Sequence, residues 1–329
     1  MVNRLKQKLN LKQDRFLAQQ QNNDENAAVS HRRYTIGASG FDAPVLQPGL
    51  HVVATPIGNL RDVTIRALET LAAADVIACE DTRHTRRLLD HYGIRARCVS
   101  YHEHNAAARR PELLKRLEEG EAVALVSDAG TPLISDPGYK LVEDVIEAGF
   151  TVIPVPGASA LLSALVMAGL PTDSFFFAGF LPHKQGARKN RIAELAGIPG
   201  TLVFYEAPGR LAASLADMAD VLGDRPAAYA RELTKRFETV ERATLNELAA
   251  NLANGAAPKG EIVILVGPPD QAAGEADMSD AAFSDRLLAL IAEHGVSRAA
   301  QMLALETGLR RKDVYARALA LQSDADNGA

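Results

Sequence analysis

Ala122-Val-Ala-Leu-Val-Ser-Asp-Ala-Gly-Thr-Pro-Leu-Ile-Ser-Asp-Pro-Gly138 is the stretch on which the fold turns. Its first part, Ala122–Ser127, is a short apolar run without alternation, the pattern of a strand buried on both faces. It then breaks into a loop with two aspartates, two glycines and two prolines. Glycine lacks a Cβ, so a loop of this kind lets the backbone approach a ligand closely. Stiffness alone also accounts for such a composition, and spacing does not decide between the two. Downstream, the spacing predicts a helix over Tyr139–Ala148, stopped by Gly149, and a strand over Thr151–Val155.

The same strand–loop–helix grammar extends in both directions. Upstream, Leu50–Ala54, Val76–Cys79 and Arg97–Tyr101 read as strands. Ile65, Leu68 and Leu71 mark one helix, Thr82–Tyr92 is another with Gly93 as its stop, and Glu112–Glu119 is a third. Ala158–Ala168 is an apolar, small-residue helix. Alternating strands and helices predict an open α/β sheet with helices on both faces. The glycine-bearing loops Pro56–Asn59, Asp128–Gly138 and Pro156–Gly157 each follow a strand, at the edge where such sheets bind ligands.

A second unit starts near Pro171, with strand-like Ser174–Gly179, Thr201–Tyr205, Ala227–Glu232 and Glu261–Val266. Helices are expected over Lys184–Leu195, Leu211–Leu222 and Leu245–Ala253, around a mixed sheet. Gly267–Asp277 reads as a linker, and Asp280–Leu321 as helices broken at Thr307–Gly308. That tail suits a helix-turn-helix-like module or a helical packing and dimerisation tail equally. Residues before Leu50 are polar and rich in Gln and Asn, with one short helix expected at Leu5–Ala18. The resulting division is a flexible extension over 1–47, α/β domains over 48–168 and 169–268, and a helical module over 278–323.

The 329 residues are 47% apolar and 23% charged, with a formal net charge of −5. No run reaches the ~18 apolar residues of a membrane span, and no apolar core follows Arg4, Lys6 and Lys8, so a cytoplasmic protein is expected. Cys79 and Cys98 have no metal-ligand spacing and read as small hydrophobes. Walker, dinucleotide and zinc fingerprints are absent. The net acidity speaks mildly against a nucleic-acid binder, but local clusters matter more. Arg83, Arg86 and Arg87 form one, and Lys184, Arg188, Lys189 and Arg191 another; a solvated helix face explains either by itself.

Six ordered motifs carry a family resemblance. They are Val53-Ala-Thr-Pro-Ile-Gly-Asn-Leu-Arg-Asp-Val-Thr64, Cys79-Glu-Asp-Thr-Arg-His-Thr85, Ser127–Gly138, Gly179-Phe-Leu-Pro182, Phe204-Tyr-Glu206 and Arg231-Glu-Leu-Thr-Lys235; Lys259-Gly-Glu261 also fits. Together they resemble the tetrapyrrole methylase superfamily over about Leu50–Val266, and within it the branch that methylates ribosomal RNA. The resemblance implies two open α/β sheets with a cofactor cleft between them, plus a C-terminal helical module. It implies methyl transfer from S-adenosyl-L-methionine to the ribose 2′-hydroxyl of a cytidine in the decoding region of 16S rRNA, within the small ribosomal subunit, by a homodimer without metal.

For the site, the resemblance places the cofactor on Asp128, Ala129, Gly130, Thr131, Ser159, Ala160, Tyr205, Glu206 and Gly260. Glu80, Asp81 and Arg83 are the expected catalytic group, a carboxylate orienting the ribose and Arg83 clamping a phosphate; an internal ion-pair network is the plain alternative. His84, His102 and His104 are weaker candidates. Glu232, Lys235 and Glu238 are expected near the same cleft, with a structural Arg231–Glu232 pair as the other reading. Lys184, Arg188, Lys189 and Arg191 are the expected contacts to the RNA backbone. C-methylation of a tetrapyrrole or corrinoid is the main competing activity, and a non-catalytic ribosome-assembly factor is the third. The loop Asp128-Ala-Gly-Thr-Pro132 differs from the Gly-Gly-Asp-Pro type favoured by the tetrapyrrole enzymes.

Overall fold

The computed structural model describes residues 32–253, 258–269, 280–307, 309 and 311–327. The expected short helix at Leu5–Ala18 lies outside them. The chain divides into two compact units, 1–159 and 160–329.

The first unit is built on a five-stranded sheet. Its strands are β3 (Gly49–Val53), β4 (Val76–Cys79), β5 (Cys98–Ser100), β6 (Ala122–Val126) and β7 (Val152–Val155), following an N-terminal hairpin described below. They lie in the order β5-β4-β6-β3-β7, and every pairing is parallel. The apolar runs are divided between the faces by the period-2 alternation of strands. Ile77, Cys79, Ala124 and Val126 pack with Leu68 and Leu71 of α1 (Ile65–Ala73) and Leu88 and Leu89 of α2 (Thr82–His91). Val76, Ala78, Val123 and Leu125 pack with Leu113 of α3 (Ala106–Glu118) and Leu141 and Val145 of α4 (Tyr139–Glu147).

Thus β3 leads to a helix on one face and its neighbour β6 to a helix on the other. Such a reversal opens a crevice beyond the carboxyl ends of the two strands.

Two sequence expectations change here. Residues read as part of a structureless extension form the hairpin β1 (Arg33–Ile36) and β2 (Ser39–Asp42). Tyr34 is 3% exposed in the α1–α2 core, and the Thr35 amide donates to the Tyr92 carbonyl at the end of α2. One buried tyrosine and a chain-end contact gave no periodic signal. Helix α3 also starts at Ala106 rather than Glu112, running through the exposed Pro111.

The second unit begins with α5 (Ala160–Met167), which packs on the second sheet and so falls outside the first domain to which its sequence position assigned it. The sheet holds β8 (Phe175–Phe180), β9 (Thr201–Glu206), β10 (Pro226–Arg231), β11 (Thr239–Thr244) and β12 (Ile262–Val266) in the order β11-β10-β12-β9-β8. Only β8–β9 is parallel. The edge strand β11 is absent from the sequence reading because its residues, Thr-Val-Glu-Arg-Ala-Thr, are polar and largely unburied. Helices α6 (Gln185–Leu195), α7 (Leu211–Leu222) and α8 (Leu245–Ala253) share one core with Leu202, Phe204, Ile262 and Ile264. At the C-terminus, α9 (Asp280–His294), α10 (Val296–Thr307) and α11 (Arg311–Asn327) close on Phe283, Leu287, Leu303 and Val314.

Candidate active site

The crevice beyond β3 and β6 is held open by the backbone itself. Thr55 and Gly130 exchange amide hydrogen bonds at 2.9 and 3.0 Å, an isolated bridge between the loops that follow the two strands. The Thr55 hydroxyl donates to the Ser127 carbonyl at 3.2 Å, and the Thr131 hydroxyl to Ala158 at 3.3 Å. Gly130 sits at φ +79°, which L side chains rarely adopt. Leu133 and Ser135 in the same loop also have positive φ, at 74° and 68°. Non-glycine residues in this region are strained by ~1–3 kcal/mol each, and such strain collects at ligand sites. The three glycine-bearing loops do converge at the carboxyl edge of the first sheet.

A cleft of about 260 Å³ opens there, lined by Thr55, Pro56, Gly58, Leu60, His84, Thr85, Arg87, Leu88, Ser127 and Asp128. It falls just below the ~300–1,000 Å³ typical of whole-ligand pockets. The dimensions suit one part of a larger ligand.

Charge gathers along the same edge. Asp128 accepts the Asp81 amide at 3.2 Å. Asp81 is the N-cap of α2: its Oδ1 accepts the Arg83 amide at 2.8 Å, and its Oδ2 lies 2.8 Å from the Arg83 guanidinium. These contacts hold the Asp81 carboxyl well below the usual carboxylate range. Two of the three expected catalytic residues therefore close on each other, with Arg83 88% exposed. Glu80 is different. Partial burial, then the negative charge of Asp128, push its carboxyl up, against a smaller pull from His102.

Asp136, in the loop that follows Asp128, is a carboxyl that the sequence did not point to, and its shift runs opposite to that of Asp81. Burial, then Glu80 and Asp128, push it up to about 6, against a hydrogen bond from Ser127. Its signal in the sequence was only its return, within one loop, to the strand end that carries Asp128. His102 and His104 lie with ring centres 6.0 Å apart, and His102 Nδ1 is buried without a hydrogen-bond partner. Among the described residues no group of three or more His, Cys, Asp or Glu is placed to hold a metal.

In the second unit Tyr205 packs edge-on against Phe177 and Phe180. Glu206 is corrected. Its Oε1 accepts the Ala207 amide at 2.8 Å and lies 3.0 Å from Arg210 Nε; its Oε2 accepts Ser214 at 2.6 Å and Arg210 Nη2 at 3.2 Å. Three hydrogen bonds and the ion pair with Arg210 thus engage both oxygens of this buried side chain within its own unit. Gly260 has φ +101°, and a Cβ there would lie 2.3 Å from Glu232 Oε1. Glu232 takes Lys235 at 2.9 Å and the Glu261 amide at 3.1 Å, while Arg231 donates to Thr239 and two carbonyls rather than to Glu232.

The basic helix α6 is corrected at its centre. Arg188 is 5% exposed, and its guanidinium lies 2.6 Å from Asp217 on α7. It cannot reach an RNA backbone from there. Lys189 is 2.8 Å from Asp220, and Arg191 is 2.8 Å from Glu194. Lys184, at the start of the helix, is exposed.

Comparison with known proteins agrees with this architecture. The model for "Tetrapyrrole (Corrin/Porphyrin) Methylases" matches residues 49–249, and that for the "RsmI C-terminal HTH domain" matches 277–322. Ribosomal RNA small subunit methyltransferase I of Mesorhizobium japonicum is 52% identical over 295 residues, covering 89% of this chain and 99% of its own. The enzyme of that name from Micromonospora olivasterospora is 48% identical, over 81% of this chain and 85% of its own. The chain belongs to the ribosomal RNA small subunit methyltransferase I family.

The shared fold is also that of a cobalt precorrin-4 methyltransferase of cobalamin biosynthesis. That solved structure matches at a TM-score of 0.51 with 17% identity, over 66% of this chain and 94% of the other. In this methyltransferase I family member the C-terminal match falls on α9–α11, the helical module at the end of the chain. No described helix is long and apolar enough to cross a membrane.

Proposed function

We propose that this chain transfers a methyl group to the ribose 2′-hydroxyl of a cytidine in the decoding region of 16S rRNA. The family carries the reaction class. The observation that carries the site is the Thr55–Gly130 bridge, which fixes two ligand-facing loops at the reversal point of the first sheet.

S-Adenosyl-L-methionine, when bound, supplies a methyl on a sulfonium whose loss leaves a neutral thioether. The residues present fit it: a loop turned at positive φ by Gly130, with the carboxyls of Glu80 and Asp128 beside it suited to a cationic ligand. Asp128, Ala129, Gly130, Thr131 and Ser159 of the first unit would hold it. Asp81 and Arg83 position the start of α2. Asp136, with Glu80 beside it, takes the proton released when the ribose oxygen forms its bond to the methyl carbon. Holding the reacting atoms ~3 Å apart contributes several kcal/mol to such a displacement, and a positioned base adds ~10²–10⁴-fold. No metal is called for, because the leaving group is neutral.

The small ribosomal subunit in the cytoplasm is the proposed substrate. A homodimer is proposed to cover apolar surface such as Leu162 and Val166 on α5 and Phe175, Phe176 and Phe180 on the edge strand β8.

The test is transfer of tritiated methyl from the donor to 30S subunits, naked 16S rRNA and uroporphyrinogen, followed by nucleoside analysis. Label in 2′-O-methylcytidine from an RNA substrate is expected. Label in uroporphyrinogen alone assigns the chain to tetrapyrrole chemistry, and donor binding without turnover on any substrate assigns it to assembly.

A further inference from the structure

Helix α2 carries its charge in an unfavourable way. Its positive N-terminal dipole end favours anions, yet its first turn holds no acidic residue and Arg83, Arg86 and Arg87 fall within its first six residues. Arg83 and Arg87 are four residues apart, and Arg83 and Arg86 three, so like charges share one face. Asp81 answers Arg83. No carboxylate among the described residues pairs with Arg86, Arg87 or the neighbouring Arg95, and all three are exposed. Arg86 bends to the Ala96 carbonyl at 3.5 Å, which carries the basic face onto the loop before β5.

A second observation lies beneath that face. Arg87 and His84 line the 260 Å³ cleft, and so does Thr85. Thr85 is 4% exposed, and its hydroxyl makes no well-formed hydrogen bond; the Cys79 thiol is a weak polar neighbour. A buried hydroxyl without a full hydrogen bond is unfavourable, and a ligand oxygen or hydroxyl reaching it from the cleft would relieve that cost. Leu60, Pro56 and Leu88 supply apolar wall beside it. One polar anchor, apolar walls and a cationic rim together match a sugar–phosphate segment.

We infer that the substrate RNA strand runs along α2, with its phosphodiester backbone on Arg86 and Arg87 and a sugar–phosphate oxygen in the cleft at Thr85. The inference rests on the proposed RNA methylation and gives that site its entry surface. It transfers to α2 the backbone contact that the sequence pattern had placed on α6.

The experiment measures binding of the full chain to transcribed 16S rRNA across potassium chloride concentrations. Each phosphate contact contributes about 0.7–0.9 to the slope of log affinity against log salt. The Arg86→Gln/Arg87→Gln variant is expected to flatten the slope by about 1.4–1.8. Thr85→Val removes a neutral hydroxyl, so affinity should fall about two- to tenfold at an unchanged slope. Lys115→Gln on α3, at the other face of the sheet, controls for net charge. An unchanged slope in the double variant, with wild type active and the variant folded by thermal melt, overturns the inference. An equal flattening in Lys115→Gln overturns it too. Failure of wild type to methylate RNA instead removes the underlying function.

Discussion

The ligand edge of the first unit and helix α6 of the second treat charge in opposite ways. On α6 the cations have answers from the protein itself: Arg188 with Asp217, Lys189 with Asp220, Arg191 with Glu194. On α2, Arg86 and Arg87 have no such carboxylate among the described residues, and the carboxyls Glu80 and Asp136 of the same edge are pushed up by burial and by the charge of Asp128. A folded chain leaves charges of either sign uncompensated at a cost, so that cost marks where an external partner completes the balance. Positive runs in sequence do not reveal this, because the acids that neutralise Arg188 and Lys189 are distant in the chain. The amide of Gln185 and the guanidinium of Arg188 both reach Asp217, on the following helix.

The largest effect should come from breaking the balanced side. Arg188→Ala removes the close partner of Asp217, which is 2% exposed, and leaves it the Gln185 amide at 2.9 Å and Lys189 at 3.7 Å. Losing one partner of a buried pair typically costs about 3–5 kcal/mol, whereas replacing both by apolar groups is often neutral. Urea denaturation should show that loss for Arg188→Ala and a large recovery in Arg188→Met/Asp217→Leu. Arg87→Ala, on the unbalanced side, should change stability by less than ~0.5 kcal/mol. Equal losses at the two positions would abolish the distinction.

Next in size is the rate effect at the carboxylate edge. If Asp136 accepts the ribose proton, Asp136→Asn should lower kcat by about 10²-fold or more with donor affinity kept. Wild-type kcat should climb with pH through a limb near 6, where Asp136 loses its proton, and the variant should lack that limb. Retention of the limb in the variant would shift the proton acceptor to Glu80.

How much of this was legible follows from what leaves a local signature. The parallel sheet was legible because Ala122–Val126 and Val76–Cys79 are buried on both faces and show it as unbroken apolar runs. The stop of α2 was legible because Gly93 takes φ +64° where a side chain is strained. The hairpin over 33–42 and the edge strand β11 were not, since neither carries an apolar alternation. For the site, composition marked the Gly130 stretch as a tight turn, and only the family resemblance pointed to a ligand there. The roles of Asp136, Glu206 and Arg188 were hidden, because each depends on neighbours fixed only by the fold: Glu80, Arg210 and Asp217 respectively.

The same Asp136 sharpens the comparison through stability, at a smaller magnitude. Its carboxyl is raised in the folded state, from an ordinary value near 3.8 to about 6. The folded protein therefore retains a proton that the unfolded chain has released between those values. By linkage, stability falls as pH rises through that window, and the full cost is present at pH 7. For a half-buried group, solvent screening reduces that cost to about 1–2 kcal/mol. Asp136→Asn should thus be more stable than wild type by that amount at pH 7.5 and by much less at pH 4.5, read from urea midpoints. A variant equally stabilised at both pH values would mean that packing, not charge, sets the effect.

The smallest expected effect tests α6 where it is most exposed. Arg191 and Glu194 are three residues apart, 40% and 64% exposed, and such pairs stabilise a helix by only about 0.2–0.5 kcal/mol. Arg191→Gln should shift the urea midpoint barely beyond error. On RNA, a phosphate arriving at Arg191 must first displace Glu194, and the counterion release that drives binding is partly forfeited to that acid. The salt slope of rRNA binding should accordingly change by much less than the ~0.7 of one phosphate contact on a single strand. A full contact's worth of flattening would show that α6 gives up its internal partners when RNA arrives. The balance seen on that helix would then describe only the unbound protein, and α6 would be an RNA-contacting surface in its own right.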